Sequence, residues 1–68
     1  MTSITELGQE LRRWRLRQRL SQPAVAERWG VSRYSILRVE KGKYVGQDML
    51  YIIGSRLAAA IREEAGVQ

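Results

Sequence analysis

Residues 22–40 read QPAVAERWGVSRYSILRVE, a pattern that predicts two short helices joined by a tight turn. Residues three and four apart share a helix face, and the apolar residues of the first helix, expected over Gln22–Trp29, have this spacing. Gly30 is expected to end that helix, because glycine accepts the left-handed conformation that a helix end commonly needs. Ser32 is a suitable N-cap for the second helix, expected over Arg33–Lys41. The apolar residues through which the pair should pack are Val25, Ala26, Trp29, Ile36 and Val39.

The second helix of this pair is expected to carry arginines on its outward side. Once Ile36 and Val39 face inward, Arg33, Tyr34 and Arg38 remain on the opposite side, together with Leu37, which cannot hydrogen-bond. The fork of an arginine can donate to O6 and N7 of guanine together, which discriminates between bases by about 1–3 kcal/mol. Tyr34 can offer its ring to a thymine methyl group or its hydroxyl to a phosphate. A helix-turn-helix DNA reader has this form, with its second helix in the major groove, so these three residues are expected to contact bases.

The spacing of these and other residues resembles the phage repressor and Cro family of small helix-turn-helix regulators, the XRE-like group. The shared positions are Leu7-Gly8, Leu11-Arg12, Trp14-Arg15, Leu20-Ser21-Gln22, Val25-Ala26, Gly30-Val31-Ser32, Ile36, Val39-Glu40, Lys41-Gly42, Leu50, Ile53 and Leu57. The resemblance implies an all-α, lambda-repressor-like DNA-binding domain. Family members commonly break after the position of Leu57 into a fifth helix, so four helices and five helices are both open.

The resemblance also implies roles for residues outside the second helix. Gln22 is expected to contact a phosphate, at the start of a helix whose free N–H groups and dipole favour anions. Arg15 and Glu40 are expected to form a largely buried ion pair, which is structural and not a binding site. The full set of expected phosphate contacts is Ser21, Gln22, Ser35, Lys41, Lys43 and Tyr44. Such contacts fix the register of a protein on DNA and carry no sequence information.

The first and last helices complete the expected fold. Ser3 and Glu6 have the spacing of a capping box, which places the first helix over Ile4–Arg19. The last helix is expected to begin near Gln47, and Gly54 is expected to let it approach a neighbouring helix closely. The remaining inward residues of these two helices are Leu7, Leu11, Trp14, Leu50, Ile53, Leu57 and Ile61.

The composition favours a small nucleic-acid-binding domain. The chain has 68 residues, with 12 Lys and Arg against 7 Asp and Glu, and a formal net charge of +5. We expect one domain, residues 1–68, with its helix-turn-helix unit at 22–40. A basic domain favours a polyanion, because each neutralised phosphate releases counterions, and the motif makes double-stranded DNA the expected partner. The chain has no cysteine or histidine, so thiolate and imidazole metal sites are excluded and no cofactor or metal is expected.

Other classes of function are disfavoured by the same sequence. No apolar run approaches the roughly 18 residues that a membrane span needs, so no membrane partner is expected, and the expected location is the cytoplasm of a bacterial or phage-infected cell. The acidic residues form no convergent cluster, so the protein is not expected to be an enzyme. No second domain that could hold an inducer is evident, so no small-molecule ligand is expected.

A homodimer is expected, because a chain of this size buries little surface and one half-site offers few contacts. With Ile53 facing inward, Ile52 points about 100° away, and Ala59 lies two turns along nearly the same line. Met49 borders these two, and the three form the expected dimer interface. The expected function is a sequence-specific transcriptional regulator, a repressor or autoregulator acting as a dimer on a palindromic operator. The alternative is an antitoxin of a toxin–antitoxin pair that also autoregulates its operon.

Overall fold

The computed structural model describes residues 3–66. Its helices are α1 (Ile4–Arg17), α2 (Gln22–Trp29), α3 (Arg33–Glu40) and α4 (Gln47–Gly66). Over the described range there are four helices and no strand, which confirms the predicted all-α fold. Of the two alternatives that the sequence left open, the structure has four helices, because α4 continues past Leu57 without a break.

A serine caps each of the first three helices. At the start of α1, the Ser3 hydroxyl accepts from the Glu6 backbone N–H at 3.1 Å, and the Glu6 carboxylate accepts from the Ser3 N–H at 3.0 Å. This confirms the predicted capping box. Ser32 caps α3, also as predicted, and Ser21 caps α2 by accepting from the N–H of Ala24 at 3.2 Å. The helix starts therefore follow from local sequence.

The end of α1 differs from the prediction. The helix stops at Arg17, two residues before the predicted Arg19. Arg19 has a φ of 57°, and the N–H of Leu20 donates to the carbonyl of Arg15 at 3.1 Å. This is the Schellman closure, in which one left-handed residue reverses the chain. An arginine rarely adopts that conformation, so the sequence carried no signal for this end.

The ends of α2 and α3 show the same closure with glycine at the left-handed position. Gly30 has a φ of 70°, as its predicted role at the end of α2 requires. Gly42 has a φ of 75° and ends α3, which stops at Glu40, one residue before the predicted Lys41. The closure after α3 turns the chain into the loop 41–46, which leads to α4.

The core lies where the apolar faces of the helices meet. The two tryptophans stack, with Trp14 and Trp29 ring centroids 5.3 Å apart and ring planes at 22°. The buried apolar residues are Leu11, Trp14, Val25, Ala26, Trp29, Ile36, Val39, Ile53 and Leu57. All nine were predicted to face inward. The predicted inward residues Leu7, Leu50 and Ile61 are only partly buried, at the border of this core.

Two glycines within helices have opposite surroundings. A Cβ added at Gly8 would overlap the carbonyl oxygen of Val39 and lie 3.0 Å from its carbonyl carbon, so the backbones of α1 and α3 are in direct contact at this point. A Cβ added at Gly54 would have nothing within 4 Å. The prediction that Gly54 allows a close helix approach is therefore wrong. Gly54 instead lines an open groove between α1 and α4, and larger side chains of α4, such as Ile53 and Leu57, make the contacts with the core.

The far end of α4 is tied back to the end of α1. The Arg17 side chain donates to both oxygens of Glu64, at 3.2 and 2.8 Å, and the Gln18 amide donates to Glu64 at 2.8 Å. These hydrogen bonds hold the pKa of Glu64 below its ordinary value, with the bond to Arg17 as the main cause. The contact keeps the last turns of α4 on the body of the protein.

Candidate nucleic-acid interface

The outward side of α3 presents the three residues predicted to contact bases. Arg33 and Tyr34 are exposed in its first turn, and the Tyr34 residue is 63% exposed. Arg38 lies one turn further along and is half-buried. Ile36 and Val39, on the opposite side of the helix, are fully buried. The helix is therefore anchored by its apolar side and offers its polar side to a ligand.

Arg38 is oriented by contacts within the protein. Its guanidinium carbon lies 5.8 Å from the centroid of the Tyr34 ring. Its Nη2 donates to the carbonyl of Tyr44 at 3.1 Å, which links α3 to the loop 41–46. A guanidinium has five N–H donors, so this bond leaves the others for a ligand. The contact with Tyr34 agrees with sequence spacing, because residues i and i+4 of a helix are neighbours. The contact with Tyr44 follows from no sequence pattern.

The ion pair between Arg15 and Glu40 joins α1 to the end of α3. Arg15 Nε and Nη2 donate to the two carboxylate oxygens at 2.6 and 2.9 Å. The two side chains are only 10% and 2% exposed. Arg15 Nη1 also donates to the carbonyl of Leu20 at 2.9 Å. The hydrogen bond to Glu40 raises the pKa of Arg15 above its ordinary value. This buried pair fixes the direction of α3 relative to α1.

Gln22 adds a third partner to the same carboxylate. Its amide nitrogen donates to Glu40 at 3.1 Å, and the residue is half-buried. The sequence predicted only a phosphate contact for Gln22, and no pattern linked it to a residue so far along the chain. An amide NH₂ has two hydrogens, so one remains for another acceptor. The contact also places the start of α2 beside the end of α3.

The other predicted phosphate contacts fall into two groups. Lys41, Lys43 and Tyr44 are exposed just after α3, and the Gln22 amide reaches Glu40, the last residue of that helix. The hydroxyl groups of Ser21 and Ser35 are partly engaged within the protein. Ser21 caps α2, and the Ser35 hydroxyl lies 2.9 Å from that of Ser32. Lys41 and Lys43 thus follow the last residue of α3, which the Gln22 amide also reaches, and Ser35 lies in the first half of that helix.

The residues predicted to form a dimer interface differ in exposure. Ile52 is 38% exposed on the outward side of α4, and Ala59 is half-buried. Met49 packs against the core, so its side chain is less available than expected. Tyr51, on the same helix, is 76% exposed and was not among the predicted interface residues. Its position one residue before Ile52 was the available signal.

The paired helices α2 and α3, with arginines on the outward side of α3, define a helix-turn-helix protein. The helix-turn-helix domain family matches residues 6–49, which is more than half of the 68-residue chain, and the chain belongs to this family. Membership of the family indicates a DNA-binding regulator. Comparison with curated proteins and with solved structures finds no match. Over the described residues, no helix has the length and apolar character that crossing a bilayer requires.

Proposed function

We propose that the protein is a sequence-specific, double-stranded DNA-binding transcriptional regulator, a repressor or autoregulator that acts as a dimer on a palindromic operator. The observation that carries the proposal is the outward side of α3. It shows Arg33 and Tyr34 to solvent while the buried pair of Arg15 and Glu40 holds the helix to the core. A helix that is exposed on one polar side and rigidly supported on the other can enter the major groove of DNA.

In this proposal, bases are read by Arg33 and Arg38. Each guanidinium donates two N–H groups to O6 and N7 of a guanine. Arg38 can do so while its Nη2 remains hydrogen-bonded to the carbonyl oxygen of Tyr44, because that bond uses only one of the five N–H donors of the guanidinium. The ring of Tyr34 packs on a thymine methyl group. The part of Arg38 that faces Tyr34 is already ordered, so less conformational entropy is lost on binding.

Phosphates are bound at the end of α3 and the start of α2. Lys41 and Lys43 neutralise phosphate charge, and the free amide hydrogen of Gln22 donates to a phosphate oxygen. Tyr44, Ser21 and Ser35 add hydroxyl contacts. These contacts set the register in which α3 meets the bases. A dimer held through α4, at Ile52 and Ala59 with Met49 at the border, would present two such surfaces to an inverted repeat.

The test is random-site selection on duplex DNA, followed by footprinting and by titrations at fixed salt. Arg33→Ala and Arg38→Ala should each reduce the free-energy difference between specific and non-specific binding by about 1–3 kcal/mol. Lys43→Ala should weaken binding to all sequences alike and lower the salt slope by about one unit. Selection that yields no preferred duplex sequence would refute the proposal.

The matched control for the two arginine variants is Arg56→Ala. It removes the same charge from an exposed arginine in a cleft of about 550 Å³ beside Trp14 and Trp29, a cleft that no residue of α3 lines. Arg56→Ala should leave the specificity ratio unchanged. An equal loss in Arg56→Ala and Arg33→Ala would mean that net charge, and not the position of the arginine on α3, determines binding.

A further inference from the structure

The outward face of α4 has a symmetric arrangement of side chains about Ser55. At 100° per residue, seven positions of this helix fall within an arc of about 120°. They are Asp48, Tyr51, Ile52, Ser55, Ala58, Ala59 and Arg62. All are exposed except Ala59, which is half-buried. Most of this face lies beyond residue 49, where the match to the helix-turn-helix family ends.

Size is complementary across the centre of this face. Tyr51 and Ile52 stand four and three residues before Ser55, and alanines stand three and four residues after it. When two copies of α4 pack antiparallel about a two-fold axis at Ser55, each large side chain meets an alanine. Tyr51 and Ala58 lie on one edge of the face, whereas Ile52 and Ala59 lie on the other. The two-fold axis places each edge of the face against the same edge of the second copy. Tyr51 therefore meets Ala58 of the second copy, and Ile52 meets its Ala59.

Charge is complementary in the same arrangement. Asp48 and Arg62 stand seven residues before and after Ser55, about 10 Å along the helix in each direction. Antiparallel packing therefore places Asp48 of each copy beside Arg62 of the other. Parallel packing would instead bring like charges together, which is unfavourable. Over residues 3–66, the ion pairs within the chain involve neither Asp48 nor Arg62, so both are available.

The groove at Gly54 gives the tyrosine a place to lie. It has a volume of about 370 Å³ and separates α1 from α4. Its lining residues are Leu7, Glu10, Gly54, Leu57, Ala58 and Ile61. Because Tyr51 of a second copy would cross Ala58, its ring can enter this mainly apolar groove. A buried tyrosine needs a partner for its hydroxyl, and the carboxylate of Glu10 is an acceptor at the groove.

We propose that a second copy of this chain binds antiparallel along α4, with the two-fold axis at Ser55. Its Tyr51 occupies the groove beside Gly54, its Ile52 packs on Ala59, and two ion pairs join Asp48 to Arg62 of the other copy. This inference rests on the proposed function, which requires a dimer, and it specifies the contacts and the direction of the two chains. The large apolar side chains exposed on α4 are thereby covered.

The position of the axis is tested with cysteine. The chain contains no cysteine, so Ser55→Cys introduces a single thiol. The two copies of a residue that lies on a two-fold axis are neighbours. Because the side chains around Ser55 include alanines, the two α4 helices can come close enough for a disulfide to form. Under mild oxidation Ser55→Cys should form a covalent dimer. The matched control is Gln9→Cys, an exposed position on α1. If the two variants cross-link at the same rate, the axis is not at Ser55.

The direction of packing is tested by charge reversal, with sedimentation as the readout. Asp48→Arg and Arg62→Asp should each weaken the dimer by about 2–30-fold, because each change affects two partly exposed pairs. The combination Asp48→Arg with Arg62→Asp should recover most of the loss. Glu27→Arg, which makes the same charge change on α2, should have no effect. A double variant as weak as either single variant would overturn the antiparallel arrangement, provided that circular dichroism shows an intact helix.

The groove is tested with Tyr51→Ala, which should weaken the dimer about tenfold or more without reducing the helix content. An unchanged dimer would remove Tyr51 from the interface.

Footprinting separates this inference from the proposed function. Symmetric protection of two half-sites, with no effect of the α4 variants on the dimer, would overturn the interface alone. A dimer that responds to these variants but binds no preferred duplex would overturn DNA reading and leave the interface standing.

Discussion

Replacement of Glu40 by alanine should cause a large loss of stability. The substitution removes both hydrogen bonds to Arg15, at 2.6 and 2.9 Å, and the bond from Gln22 at 3.1 Å. Arg15, which is 8% exposed when the whole residue is counted, would keep one hydrogen-bond partner, the carbonyl of Leu20. Removing one member of a buried ion pair costs about 3–5 kcal/mol, because the other charge stays buried without compensation. Domains of this kind have total stabilities of about 5–15 kcal/mol, so Glu40→Ala should remove a large share.

Urea unfolding followed by tryptophan fluorescence measures this loss. Trp14 and Trp29 stack within the core, so their emission reports the state of the whole packed unit. Two further variants identify the cause. Gln22→Ala removes one hydrogen bond and keeps the ion pair, so it should cost only about 0.5–1.5 kcal/mol. Arg15→Met added to Glu40→Ala removes the uncompensated charge, so the double variant should be no less stable than Glu40→Ala alone.

The measurement can refute the reasoning in a direct way. A loss below about 1 kcal/mol for Glu40→Ala, at an unchanged urea slope, is the value expected of an exposed pair. That result would mean that water reaches Arg15 and that the pair does not hold α3 to α1. DNA affinity, measured where each variant is fully folded, should fall by less than the stability does, because Glu40 is not among the residues proposed to touch DNA and acts on binding only through the order that it gives to α2 and α3.

Further substitutions test the backbone and the surface. Gly8→Ala should destabilise the fold by about 1–3 kcal/mol in urea unfolding, because the added methyl group overlaps the α3 backbone, and a gain would refute that contact. Gly54→Ala, the matched substitution in open space, should instead stabilise the monomer by about 0.5–1 kcal/mol, measured at a protein concentration too low for dimers. Arg19→Gly should raise the melting temperature, because glycine adopts a φ of 57° without strain; a lower value would mean that the arginine side chain supports the turn. The pKa of Glu64 lies below its ordinary 4.5, so its stabilisation is present above that pH and is lost as the pH falls through the folded-state pKa. Glu64→Gln should therefore lose less stability than the parent on acidification, and equal losses would exclude this contribution.

The sequence predicted the parts of the fold that depend on local chemistry. The serine caps of α1 and α3, the glycine closure after α2 and the inward apolar residues follow from short-range rules, and the structure confirms them. The end of α1 was placed two residues too late, because the closure there uses Arg19 and not a glycine. The interpretation of Gly54 failed for a different reason. Its surroundings are set by how α4 lies on α1, and that depends on tertiary packing.

The candidate site shows the same division between local and long-range information. The outward residues of α3 were predictable, because the helical period and two buried apolar positions determine which side faces solvent. The hydrogen bonds that residues of the site make within the protein were not predictable from the sequence. Arg38 reaches the carbonyl of Tyr44, and Gln22 reaches Glu40 across 18 positions of the chain. Such contacts depend on side-chain conformation and on the angle between helices, neither of which has a sequence pattern.

Three helices meet at the carboxylate of Glu40, and this explains how so small a chain can present an ordered surface. Glu40 is the last residue of α3, Arg15 comes from α1, and Gln22 is the first residue of α2. A buried, hydrogen-bonded charge pair tolerates little rearrangement, because any displacement leaves a charge unpaired. The residues proposed to read bases and the residues proposed to bind phosphates are therefore held in one relative geometry before DNA arrives. Groups that are ordered in advance do not lose that freedom on binding, so more of each contact contributes to affinity.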